Sequence, residues 1–239
     1  MKTLLIHLGD SWECLASTAL LKRLSDSEID VIVADKHKAA IFRGHKFVKN
    51  IYMIDFLPKD FDKKRYDLAI NLHYSFSENI VKINADSKLG FNYTDSEFDC
   101  YKVMYGRKKT KKNIFQIYYN LAEKTWKGEH PCIAYYPKNK SSKKKTGILI
   151  DNRVLKDYML EELNLQNSRL WYIPHRKNFY KQLDELNRCK MVITDNFFSL
   201  LMSLCLGKNV YFLQRVSYNF EVDLLGMGDI FEVPKDMLL

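Results

Sequence analysis

The sequence offers little for a protein built on metal, disulfides or membrane spans. Its five cysteines (Cys14, Cys100, Cys132, Cys189, Cys205) form no CxxC and no zinc-ligand spacing, so no cysteine zinc site is expected. An odd count without a signal peptide reads as reduced thiols in a cytoplasmic protein. Cys14, Cys189 and Cys205 sit in helical or apolar patterns, where a thiol acts as a small hydrophobe. The N-terminus lacks the apolar core of a signal sequence, and no apolar run reaches the length of a membrane span. No repeat of fixed short period is visible. The basic runs 107–112 (RKKTKK) and 143–145 lack aromatic interleaving, and no nucleic-acid motif appears, so a nucleic-acid partner is not expected.

What is present is a large apolar fraction and an excess of positive charge. Of 239 residues 46% are hydrophobic, enough to bury a sizeable core in one large or two small domains. The 15 Tyr and 14 Phe point to aromatic packing. A net charge of +9 favours polyanionic partners such as phosphorylated sugars, nucleic acid or an anionic membrane face.

Apolar runs and helical periods alternate along the chain. Strands are expected at 4–8, 30–34, 51–54, 66–72 and 88–91, with helices at 13–24, 37–44, 77–84 and 113–126. Residues 92–111 carry no clear pattern. The stretch 137–145 (PKNKSSKKK) has no apolar residue and reads as an exposed connection. After it, strands at 147–150, 170–173, 191–194 and 210–213 alternate with helices at 154–163, 179–189 and 198–206. Gly207 is the stop signal of the last helix, and a tail includes 230–233. Such alternation predicts an α/β fold of two Rossmann-like lobes, 1–136 and 146–239, with parallel sheets. A ligand is expected in the cleft that two such lobes form.

Three stretches carry a family resemblance. Residues 3–24 (TLLIHLGDSWECLASTALLKRL), residues 66–91 (YDLAINLHYSFSENIVKINADSKLGF) and the helix 113–126 resemble the acceptor lobe of the heptosyltransferase family, glycosyltransferase family nine. In ungapped alignment Trp12-Glu13 falls on the family's Gly-Asp pair, and Thr18-Ala19-Leu20-Leu21 on its Thr-Pro-Leu-Leu. Residues 186–213 (LNRCKMVITDNFFSLLMSLCLGKNVYFL) look like the family's donor segment. There Leu206-Gly207-Lys208 matches, the family's Gly is absent, and its His falls at Leu200 or Leu201. The second lobe, about 95 residues, is short for the family.

The resemblance implies a GT-B arrangement with a reduced second lobe. It also implies inverting transfer of a heptose-like sugar from a nucleotide-sugar to a glycan or glycolipid acceptor, such as lipopolysaccharide core, with no metal or other cofactor. A lipid-linked acceptor would draw the enzyme to the inner face of the inner membrane as a peripheral protein. Such transfer needs a base for the acceptor hydroxyl and positive charge or helix amides for the departing diphosphate. Glu13 is the candidate base by alignment; the plainer alternative is a carboxylate complementing a helix start. Asp10, three residues earlier, is either its rival or an N-cap. At the start of the helix 198–206, Asp195, Asn196 and Ser199 either meet the donor or cap the helix. Arg153 and Arg176 follow strand ends, where they would meet a diphosphate, or stand on the surface as cations. His73, Tyr74 and Ser75 end a strand where an acceptor would lie. Lys208 is expected in solvent. A catalytically silent relative that binds a sugar nucleotide or a partner stays open beside the enzyme.

Overall fold

The computed structural model describes residues 1–73, 81–90, 99–100, 114–138, 145–150, 169–214 and 230–232. The chain divides into two compact units, Met1–Ala134 and Tyr135–Leu239.

Unit 1 is built on six parallel strands: β1 (Lys2–His7), β2 (Glu28–Val33), β3 (Val48–Met53), β4 (Arg65–Asn71), β5 (Asn84–Gly90) and β6 (Asp99–Cys100). Their order in the sheet is β3-β2-β1-β4-β5-β6, the doubly wound dinucleotide-fold order. A parallel sheet covered on both faces needs near-continuous apolar strands. Leu4, Leu5, Ile6, Val31, Ile32, Val33, Ala69 and Ile70 supply them, all buried. Asp30 is the polar exception in the middle of β2. It accepts from Tyr66 Oη at 2.9 Å and Asn50 Nδ2 at 2.7 Å, so the buried carboxylate is satisfied. Burial, with Asp30 beside it, pushes the Tyr66 hydroxyl well above its ordinary range.

Among the described residues this unit has three α-helices: α1 (Ser11–Ser17), α2 (Lys36–Phe42) and α3 (Ile114–Leu121). The helix expected over 13–24 is in fact α1 followed by a 3-10 stretch, Thr18–Leu24. The cause is local: Ser17 Oγ and Thr18 Oγ1 donate to the carbonyls of Cys14 and Leu15, three residues back, at 2.8 and 2.7 Å. Hydroxyls that bond backwards in this way disturb a regular helix. The helix expected to reach Trp126 stops at Leu121. Glu123 takes φ +51°, and Trp126 folds back to stack on Phe115 and to donate from Nε1 to the Glu129 carbonyl. The last strand of the expected set starts at Asn84, not Lys88, and β6 lies in the stretch without pattern. The expected helix 77–84 lies outside the described residues up to 80; residues 81–83 are not helical, and Asn84 opens β5.

Unit 2 carries a second parallel sheet: β7 (Lys145–Leu149), β8 (Arg169–Tyr172), β9 (Met191–Thr194), β10 (Asn209–Gln214) and β11 (Ile230–Glu232). Read from the other edge the order is β8-β7-β9-β10-β11, the flavodoxin-like order. The α-helices among its described residues are α4 (Phe179–Asn187) and α5 (Phe197–Cys205). Each is capped by an asparagine: Asn178 accepts from Lys181 N–H and Asn196 from Ser199 N–H, both at 3.0 Å. Gly207 takes φ +65° and ends α5, as its position after the last apolar residue predicts. The expected helix 154–163 lies outside the described residues.

Candidate active site

In unit 1 the strand order reverses between β1 and β4, the place where α/β sheets hold ligands beyond their carboxyl ends. The Leu72 N–H donates to the Ile6 carbonyl at 2.8 Å, carrying the β1–β4 ladder one step past β4. His7 at the end of β1 and His73 just beyond β4 are thereby neighbours, their rings stacked at 5.9 Å. The His73 amide donates to Asn71 Oδ1 at 3.1 Å, which fixes the turn that carries it.

Between β1 and α1 the loop is only Leu8-Gly9-Asp10. Asp10 is exposed and stands at the N-cap of α1, one of the two roles its sequence position allows. Glu13 is the third residue of the helix, and its Oε2 accepts the Asp10 N–H at 2.7 Å, as in a capping box. Glu13 therefore does complement the helix start. Its carboxylate is also buried, 3.8 Å from His73 Nε2. Gly9 makes this convergence possible: a methyl group there would overlap the Glu13 carboxylate and sit 2.7 and 2.8 Å from the rings of His73 and His7.

His7 is fully buried, and its tautomer follows from its partners. The Gly9 N–H donates to Nδ1 at 3.2 Å, so the proton is on Nε2, which donates to Tyr118 Oη of α3 at 3.1 Å. Cys14 Sγ lies 3.4 Å from the same Nδ1. Burial, then the charges of His73 and Lys38, lower the His7 pKa to about 3. Burial pushes the Cys14 thiol far up, so it is a neutral donor and not a nucleophile. His73 also lies below its ordinary value, through burial first and Lys38 second, against Asp10, which favours its charged form. At neutral pH the cluster is thus two uncharged imidazoles beside the Glu13 carboxyl group.

The corresponding place in unit 2 is the switch between β7 and β9. The β9–α5 turn carries Thr194, Asp195, Asn196 and Ser199, and Asn196 is bonded to both Thr194 and Ser199. Asn196 N–H donates to Thr194 Oγ1 at 3.1 Å while its side chain caps α5. Ser199 is buried, and its carbonyl accepts from Ser203 Oγ at 2.7 Å. Leu200 and Leu201, where the resemblance would put a histidine, are core residues. Arg176 follows β8, but its guanidinium donates to Glu185 of α4 at 3.0 Å. Lys208 is not in solvent: it is buried and donates from Nζ to the Asn187 carbonyl at 3.1 Å, and burial lowers its pKa. A lysine after a helix end reads as free in the sequence, but here its ammonium reaches the last carbonyl of α4. Arg153, Tyr74 and Ser75 lie outside the described residues.

Of the side chains gathered at this strand end, sequence reasoning named Glu13, Asp10 and His73, but not His7, Gly9, Asn71 or Tyr118. His7 had a signal, an ionisable residue ending an otherwise apolar strand. Gly9 had one too, standing beside Asp10 before a helix. Tyr118 read only as one apolar position in α3. Among the described residues no group of three or more His, Cys, Asp or Glu side chains could hold a metal ion, and no helix is long and apolar enough to cross a membrane.

Solved structures share this fold. The glycosyltransferase family 9 structure from Veillonella parvula superposes with a TM-score of 0.67 at 13% identity, over 97% of this chain and 86% of the other. The heptosyltransferase WaaC of E. coli, solved with ADP, gives 0.65 at 13% identity over 100% and 95%. The ADP-heptose lipopolysaccharide heptosyltransferase II of E. coli gives 0.64 at 13% identity over 98% and 90%. No family profile matches the sequence and no curated protein matches it significantly. At this identity the likeness is one of fold, and the chain has the mixed α/β fold of these glycosyltransferase structures.

Proposed function

We propose that the protein is an inverting, metal-independent glycosyltransferase that moves a heptose-like sugar from a nucleotide-sugar to a cell-envelope glycan such as lipopolysaccharide core. Unit 1 is then the acceptor lobe and unit 2 the donor lobe of a GT-B enzyme. The observation that carries this reading is the buried Glu13 carboxylate at the β1–β4 switch point, in a chain with the fold of heptosyltransferase structures.

In this reading the acceptor hydroxyl oxygen attacks the anomeric carbon while Glu13 takes its proton. The bond from that carbon to the diphosphate breaks on the opposite side, and its electron pair leaves on the phosphate. One displacement gives inversion. Glu13 is preferred to Asp10 because its carboxylate is held among buried groups, whereas Asp10 is exposed at the helix cap. His73 and Ser75 would meet the acceptor. On the donor side the amides at the start of α5 suit a phosphate, Asp195 suits a ribose hydroxyl, and Arg153 supplies charge. Arg176 would first have to leave Glu185. The net charge of +9 suits both the diphosphate and peripheral contact with an anionic membrane carrying the acceptor.

A second reading, a relative that binds a sugar nucleotide without turnover, is favoured by the donor side, where Asn196 and Arg176 are already engaged. The experiment that separates them is a thermal-shift panel of ADP, UDP, GDP, CMP and their sugar conjugates in EDTA, followed by turnover with the conjugate that binds. The enzyme reading expects an inverted product and a loss of about 10²–10⁴-fold in Glu13→Gln, with Asp10→Asn much milder. Binding without turnover supports the second reading. A retained anomer, or normal turnover by Glu13→Gln, removes the mechanism.

A further inference from the structure

The site holds one more ionisable side chain next to the proposed base than a single displacement requires. Taking Glu13 as the group that receives the acceptor proton, and so resting on the transferase reading, the protons of the cluster can be counted. Cys14 keeps its proton because it is buried. His7 already carries one on Nε2, bonded to Tyr118 Oη, and its Nδ1 accepts the Gly9 N–H, so neither nitrogen is open to a second. His73 Nε2 faces Glu13 Oε2 at 3.8 Å. That is just beyond hydrogen-bond reach, and a contraction of about 1 Å would let a proton be shared.

We infer that His73 forms a proton-sharing pair with Glu13, taking on Nε2 the proton that Glu13 removes from the acceptor hydroxyl and so returning Glu13 to its carboxylate form. The balance is complete within the site. The acceptor O–H bond breaks as the new glycosidic bond forms, the diphosphate leaves with the electron pair of the old one, and the proton passes from Glu13 to the imidazole and then to solvent. His73 is a positioning and relay residue here, acting through Glu13. Among the described residues, the charged and titratable groups around it include Glu13 on α1, His7 at the end of β1, Asp10 at the helix cap and Lys38 on α2. A stacked neutral His7, sealed by its own bonds, keeps the proton from going deeper. Gly9 keeps the two partners in range, since any side chain there would drive them apart.

The test is made on the full chain in two arms. In ¹⁵N-histidine NMR at pH 7.5, the pair expects His73 Nε2 to be unprotonated, with the proton on Nδ1, and its titration to move to lower pH in Glu13→Gln, because a carboxylate that favours imidazolium has gone. A proton on Nε2, or a titration indifferent to Glu13→Gln, overturns the pair. The second arm is the pH profile of kcat for His73→Gln. It expects a fall of about tenfold, an unchanged donor KM and an acid limb displaced to lower pH, with partial recovery by added imidazole. An unchanged kcat and limb overturn the relay. Should the wild-type chain turn over no nucleotide-sugar, the transferase reading falls separately, and the NMR arm decides the pair by itself.

Discussion

Two parallel sheets in this molecule reverse their strand order at one point each, and the polar side chains gathered at the two points are used differently. At β1–β4 they are buried ionisable groups set against one another: His7, Glu13, Cys14 and His73, with Asn71 and Tyr118 as supports. At β7–β9 the polar groups serve the scaffold: Asn196 caps α5, Thr194 Oγ1 receives the Asn196 amide, and Arg176 is turned onto Glu185. A switch point alone therefore does not make a reactive site. What distinguishes the first is that four desolvated titratable side chains, His7, Glu13, Cys14 and His73, converge on one another at one strand end.

The comparison breaks most visibly at two glycines. Gly9→Ala would press on Glu13, His73 and His7 together, whereas Gly147→Ala in β7 would press on Cys189 Sγ and Ile173 Cδ1, the ends of two side chains in the unit 2 core. Both substitutions overpack, at a cost of about 1–3 kcal/mol each. Only Gly9→Ala is expected to reduce turnover, by about 100-fold or more, since a displacement of about 1 Å at reacting groups has that effect. Denaturant midpoints and kcat for the two variants measure this. Equal losses of activity would mean that the first switch point is no more specialised than the second.

Next in size is the acid response. A free histidine binds its proton near its ordinary value of 6.5, but His7 in the fold does so only at about 3. Between those values the unfolded chain binds more protons, so stability rises with pH there. The contribution is complete above about pH 6.5 and is lost as pH falls toward about 3. From pH 6.5 to pH 5 the loss is about 2 kcal/mol, at roughly 1.36 kcal/mol per unit. His45 and His73, also lowered, add in the same direction. Urea unfolding at pH 7 and pH 5 should show this loss in the wild type and a smaller one in His7→Gln. A full loss in the variant would show that His7 is not the buried neutral group its partners imply.

The contrast also explains what was legible in the sequence. The strands could be read because a sheet covered on both faces demands apolar runs, and β9 was predicted to the residue. β5 was read short because three of its first four residues, Asn84, Asp86 and Ser87, are polar and exposed, and β6 is two residues long. His73 was visible because it follows a strand end, and Glu13 because it opens a helix and falls on the family's Asp in ungapped alignment. Their partners were not, because His7 and Tyr118 are 111 positions apart, and only the order of β1 and β4 brings His73 beside His7. Lys208 was misread because no local pattern says that its ammonium will find the Asn187 carbonyl.

The smallest expected effect tests whether the unit 2 switch point is scaffold alone. Asn196 caps α5 through its side-chain oxygen, an acceptor that serine also provides. Asn196→Ala should cost about 1 kcal/mol of stability, while Asn196→Ser should cost only a few tenths. If Asn196 does nothing but cap, affinity for whichever nucleoside diphosphate binds will follow the same order: reduced in the alanine variant, where the first turn of α5 is loosened, and kept in the serine variant. If the amide also contacts the donor, serine will keep the stability and lose the affinity. Titration of the two variants with that diphosphate therefore separates a helix cap from a ligand contact, which sequence position could not do.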